Sequence, residues 1–244
     1  MSGTHFEQMA DAYAAARPPY PAALYDALVA EGAAGPGVRA LEVGAGSGLA
    51  TAELVRRGTD IVALEPGARL AALLREAVPG TEVLVSRLED AVFPRAGFDA
   101  VVAATAMHWV DLDAVLPTLH DALRPGGRLA VWRNVFGDDA VRTAFRDRVG
   151  EIVARRRGPD DAPAREARPT MAELGAGGWF EPVRTERWRW SVELTGGQVR
   201  GLFRTFSDWT ADEAEEAGAA ADELGGRVTE HYRSVLHLLR RRDR

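Results

Sequence analysis

The stretch Val38-Arg39-Ala40-Leu41-Glu42-Val43-Gly44-Ala45-Gly46-Ser47-Gly48-Leu49 decides the fold. Val38–Val43 reads as a short apolar strand, and Ser47–Arg57 as a helix. The glycines between them let the chain turn tightly and let a ligand approach the main chain. Their spacing is Gly-x-Gly-x-Gly. A dinucleotide fingerprint would ask for glycine or alanine at position 49, where Leu49 stands. Glu42 lies two residues before the first glycine. A carboxylate there opposes a pyrophosphate and favours a ligand carrying positive charge.

Outward from this turn, short apolar runs alternate with amphipathic stretches. Asp60–Leu64, Glu82–Ser86, Phe98–Thr105 and Arg128–Trp132 read as strands, and Ala68–Val78 and Leu112–Leu123 as helices. Such alternation implies an α/β fold, a parallel sheet covered on both faces. Pro125-Gly126-Gly127 is a turn that feeds the last of these strands. Upstream, helices are expected over Phe6–Ala16 and from Pro21 to Glu31, separated by Arg17-Pro18-Pro19-Tyr20-Pro21. Downstream, Asp138–Arg157 reads as a long charged helix, Gly158–Pro169 as a connection, Arg184–Leu194 as an alternating strand, and Gly197–Phe206 and Asp212–Leu239 as helices. The whole chain is expected to be one domain. Its core spans about 36–133 and 180–194, and cover elements lie at 1–32, 136–178 and 197–239.

Two further acidic positions follow strand ends. Glu65, in Glu65-Pro66, stands 21 residues after Gly44, an offset at which a carboxylate accepts hydrogen bonds from ribose hydroxyls. In Ser86-Arg87-Leu88-Glu89-Asp90, either Glu89 or Asp90 is placed to take an exocyclic amine, with Leu88 packing beside the ring.

Composition narrows the chemistry. The net charge of −6 over 244 residues disfavours nucleic-acid partners. With no cysteine there are no disulfides, thiolate metal sites or thiol nucleophiles, and no metal-ligand spacing is present. All 30 basic residues are arginine, which removes Schiff-base chemistry and a lysine-dependent phosphate loop. No apolar run is long enough to cross a bilayer, and Met1–Glu7 lacks a targeting pattern, so a cytoplasmic protein is the expectation.

Taken together, Glu42–Gly48, Glu65-Pro66, Leu88-Glu89, Phe98–Val101 and Leu123–Gly127 resemble the class I S-adenosylmethionine-dependent methyltransferases, over roughly Val38 to Val131. The resemblance implies a Rossmann-like, seven-stranded, mostly parallel sheet, with Arg184–Leu194 in a final pair that includes one antiparallel strand. It implies S-adenosylmethionine as cofactor and selects Glu89 for the adenine amine. Tyr13-x-x-x-Arg17-Pro18-x-Tyr20-Pro21 and Ala106–Asp111 resemble a subgroup acting mostly on small molecules. There Tyr13 and Arg17 would close over the cofactor, Arg17 on its carboxylate. A guanidinium suits that task through two parallel donors.

The cofactor-binding set is therefore Tyr13, Arg17, Glu42, Gly44, Ala45, Gly46, Gly48, Glu65, Pro66, Leu88, Glu89, Thr105 and Trp109. His108 is the candidate general base, since imidazole titrates near neutrality. His120, His231 and His237 are expected at the surface. The expected activity is methyl transfer to O, N or carboxylate of a small molecule by a monomer or homodimer. A non-methyl use of the cofactor and a non-catalytic binding protein are the alternatives.

Overall fold

The computed structural model describes residues 10–155 and 168–243. Short parallel strands form one half of a single sheet: β1 (Arg39–Val43), β2 (Asp60–Leu64), β3 (Glu82–Leu84) and β4 (Phe98–Ala104). The side chains of β1, β2 and β4 are buried on both faces, which is why these read as apolar runs rather than alternations. The longer strands β5 (Leu123–Phe136), β6 (Phe180–Thr195) and β7 (Arg227–Arg241) form the other half. The order is β3-β2-β1-β4-β5-β7-β6, and β7 alone runs antiparallel. This is the expected Rossmann-like seven-stranded sheet.

Helices α1 (Ala10–Ala16) and α2 (Ala22–Ala30) precede the sheet. Between strands lie α3 (Leu49–Arg56), α4 (Ala68–Ala77) and α5 (Leu112–Ala122). Beyond β5 come α6 (Ala144–Ala154) and α7 (Met171–Gly175), and the β6–β7 connection carries α8 (Gly196–Arg204) and α9 (Ala211–Glu223). One apolar cluster, with Leu24, Leu28, Leu54 and Trp132, fills one sheet face; a second, with Leu64, Val101, Leu119 and Phe180, fills the other. A third joins α6, α8 and α9 around Phe145, Val199, Leu202 and Phe203. The cover thus has its own core. It hangs from the hairpin whose last pair is Thr195 and Arg227. Capping boxes at Thr195/Gln198 and Thr210/Glu213 fix where its helices begin.

Three expectations change. Asp212–Leu239 is not one helix: α9 ends at Glu223, and residues 227–239, expected in the cover, belong to β7 in the middle of the sheet's long half. Val228, Glu230, Tyr232 and Ser234 alternate inward, but two of these are polar and hide the period. Val235 to Leu239 is then buried continuously, a run that buried helices and buried strands share. Helix α6 begins only at Ala144, where the Thr143 hydroxyl accepts from the Arg146 amide; Arg156 and Arg157 lie outside the described residues. His120 and His237 are buried rather than exposed: His120 Nε2 bonds the Arg242 carbonyl (2.9 Å) and His237 Nδ1 the Thr185 hydroxyl (2.8 Å). The Pro125–Gly127 turn is present, looped out between the pairs Phe98–Leu123 and Ala100–Arg128.

Candidate functional site

The carboxyl ends of β1, β2 and β4 converge on one crevice, as open parallel sheets arrange them. Gly44 turns out of β1 with φ of 65°. A Cβ there would lie 2.5 Å from Ala106 Cβ, so the loops after β1 and β4 touch only because residue 44 has no side chain. Gly46, at φ 60°, faces open space instead, with no atom within 4 Å of where a Cβ would sit. Glu65 ties the loop down: the Gly46 amide donates to its Oε2 and the Gly67 amide to its Oε1, both at 2.8 Å.

Glu42 lies beneath this loop, 1% exposed, and does not line the crevice. The Thr51 hydroxyl donates to its Oε2 (2.7 Å), and its Oε1 is buried without a hydrogen bond. Burial raises its pKa to about 8, with the Thr51 bond opposing and the Glu65 charge adding.

The crevice is an open cleft, its space of about 700 Å³ continuous with solvent. One side is Gly44, Ala45, Gly46 and Thr105; the other is Phe136 from β5, Leu202 and Phe206 from the cover, and Tyr232 from β7. Arg17 borders it, its Nη2 donating to the Thr205 carbonyl (3.0 Å) and its guanidinium 4.8 Å from the Phe206 ring centre. The Tyr20 and Thr105 hydroxyls share a hydrogen bond of 2.8 Å, and Thr105 adopts φ of 57°.

His108 and Trp109 sit on a short 3-10 turn after β4, ring centres 4.6 Å apart. Trp109 is 45% exposed and lines neither this crevice nor the cavity beside it. His108 lines that second, smaller cavity, which shares Thr105 with the crevice. Burial lowers its pKa to about 4, helped by the charges of Arg133 and Arg17.

Comparison with known proteins matches this frame. A methyltransferase domain model fits residues 41–131. An uncharacterized methyltransferase of Mycobacterium tuberculosis is 35% identical over 190 residues, covering 78% of this chain and 71% of that protein. The chain belongs to the methyltransferase family. A methyltransferase-like protein of Schizosaccharomyces pombe is 27% identical over 217 residues, 87% of this chain and 82% of that one. Among solved structures, one described as a type II methyltransferase from Anaeromyxobacter dehalogenans superposes with a TM-score of 0.62 at 25% identity, covering 91% of this chain and 97% of that one. The geranyl diphosphate C-methyltransferase of Streptomyces coelicolor, solved with S-adenosyl-L-homocysteine, shares the fold at 17% identity and a TM-score of 0.53, over 91% and 79% of the two chains.

The methyltransferase is thus S-adenosylmethionine-dependent, and its residues fit that group. Gly46 leaves the main chain open to a ligand. The two Glu65 oxygens accept the Gly46 and Gly67 amides, which holds the carboxylate at the edge of the loop. Of the expected set, Arg17, Gly44, Ala45, Gly46 and Thr105 line the crevice together, and Glu65 meets it through Gly46. Glu42, Gly48, Pro66, Leu88, Glu89 and Trp109 do not line it. Leu88 is buried in the core, and Glu89 lies 3.5 Å from Arg87 Nε. The Tyr13 side chain lies outside what the structure describes. Sequence reading passed over Asn134 and Tyr232 as crevice residues. Asn134 lies beyond the expected end of its strand, and Tyr232 lay in the supposed helix.

Proposed function

We propose that the protein methylates an oxygen, a nitrogen or a carboxylate of a small molecule, acting in the cytoplasm as a monomer or homodimer. The observation that carries this reading is the wall of Phe136, Leu202, Phe206 and Tyr232 facing the glycine loop across one crevice. It offers an apolar acceptor a place opposite the cofactor's loop. When bound, S-adenosylmethionine supplies a methyl group on sulfur already activated toward nucleophiles. The residues that would hold it are Glu65 for the ribose, the Gly44–Gly46 main chain, Arg17 for the carboxylate, and Leu88 with Glu89 for the adenine. The remaining task of the protein is to align the acceptor and exclude water.

The test is binding followed by turnover. S-adenosylmethionine and S-adenosylhomocysteine should each raise the melting temperature, because they bind the folded state, and NAD should not. Incubation with candidate small molecules should then release S-adenosylhomocysteine. Stabilisation by NAD alone would sink the reading. Stabilisation without release from any acceptor would favour a non-catalytic binder.

His108 enters as a neutral group. With its pKa near 4 it is uncharged at pH 6–8 and accepts protons weakly there. At subsaturating acceptor, where the pKa values of the free protein govern the rate, His108 should therefore contribute no change between pH 6 and 8. His108→Ala should weaken acceptor binding more than turnover. A rate falling through pH 6.5 in the wild type and not in the mutant would restore His108 as the base.

A further inference from the structure

Most arginines of this chain whose contacts are described meet a carboxylate. Arg39, Arg57, Arg124, Arg146, Arg184 and Arg200 all form ion pairs. Arg133, on β5, does not. Among the described residues no carboxylate pairs with it. Its Nη1 donates to the Arg168 carbonyl at 3.4 Å, and its Nε is buried without a partner. Burial works against its protonated form, Tyr20 favours it, and the nearby Arg17 charge opposes it. Arg133 is half-buried and cannot shed its charge at working pH, so an anion beside its covered part is favoured.

The surroundings agree. Arg133 lines the small cavity beside the crevice with Thr105, His108, Val235 and His237. His108 Nδ1 is also buried without a hydrogen bond. Two polar side chains from different elements, β5 and the turn after β4, thus border one space, and each has a buried nitrogen without a hydrogen bond. Apart from these groups, Met107, Val131 and Val235 contribute apolar side chains to it. Thr105 forms the shared boundary with the crevice. A group seated here lies next to the place proposed for methyl transfer.

We propose that Arg133 and His108 form an anion subsite, and that the methyl acceptor is a small carboxylic acid whose carboxylate this subsite receives. The planar guanidinium fork matches a planar carboxylate through two parallel bonds. His108, neutral, donates to the carboxylate from Nδ1 in its Nδ1–H tautomer. The proposal rests on the small-molecule reading above and narrows it.

The experiment uses the whole chain saturated with S-adenosylhomocysteine. Acetate, hexanoate, benzoate and phenylacetate are titrated calorimetrically, alongside the corresponding neutral amides and inorganic phosphate. At least one carboxylate should bind saturably, and its amide at least tenfold more weakly. Arg133→Gln should lower that carboxylate's affinity at least tenfold. Arg133→Lys should restore part of it, and both variants should keep wild-type affinity for S-adenosylhomocysteine. That last measurement shows folding and an intact cofactor site. Carboxylates that bind no better than their amides, phosphate binding in their place, or an unchanged Arg133→Gln would overturn the subsite. Failure of wild-type protein to bind S-adenosylhomocysteine would instead overturn the reading on which it rests.

Discussion

Glu65→Ala is expected to lose about tenfold to a hundredfold in affinity for S-adenosylhomocysteine, the scale of hydrogen bonds to a charged group. It should also lose stability, by about 3 kcal/mol. The two effects have one origin. Glu65 is 5% exposed, and its two oxygens take the amides of Gly46 and Gly67. Removing it leaves both amides without that acceptor and loosens Gly46, while the Gly44 and Ala45 amides still hold the loop to the Leu64 carbonyl of β2. Any ligand hydroxyl that Glu65 holds is lost as well. A domain usually has about 5–15 kcal/mol to lose, so the mutant should still fold. Calorimetry and denaturant unfolding on the same sample separate the effects. A folded mutant with unchanged affinity would show that Glu65 only organises the loop. Unchanged stability would show that water replaces it at both amides.

The elements that place this site were legible because each carries a local signal. The loop at Gly44–Gly48 is announced by glycines that only a turn or a close approach would require. Glu65 is announced by its distance along the chain from them. The parallel strands are buried on both faces, so their apolar runs stand out against the amphipathic helices between them. What was illegible depends on contacts distant in sequence. Tyr232 reaches the crevice because β7 lies between β5 and β6, opposite Phe136 and Trp190. No local pattern records that neighbourhood. Glu230 is buried because Arg146, 84 positions earlier, donates to it at 2.8 Å. That pairing puts a charge where a strand would otherwise show an apolar residue, and it erased the alternation. Arg133 is similar: its interest lies in having no carboxylate partner among the described residues, which only the folded chain reveals.

Glu42→Gln is expected to change how stability depends on pH. In the unfolded chain Glu42 loses its proton near its ordinary value, about 4.5; in the folded protein it keeps the proton up to about 8. Between these values the unfolded state binds fewer protons than the folded one. The Glu42 contribution is thus fully present below pH 4.5 and is lost as pH rises through 8. The slope is at most about 1.4 kcal/mol per pH unit. Glutamine has no proton to lose, and its side-chain oxygen can accept the Thr51 hydroxyl as the glutamate now does. The mutant should match wild type near pH 5 and exceed it by up to about 4 kcal/mol at pH 8. His108 acts in the other direction and in another window. Its folded pKa near 4 lies below the ordinary 6.5, so it costs stability only as pH falls below 6.5. Unfolding curves between pH 6.5 and 8.5 therefore report Glu42 without the His108 effect. The same protonation bears on binding. A neutral Glu42 at pH 7 offers no charge to a cationic ligand, so Glu42→Gln should hold its S-adenosylhomocysteine affinity within about threefold. Equal stability slopes in mutant and wild type, together with a large loss of affinity, would mean that Glu42 is ionised under the loop and attracts the ligand directly.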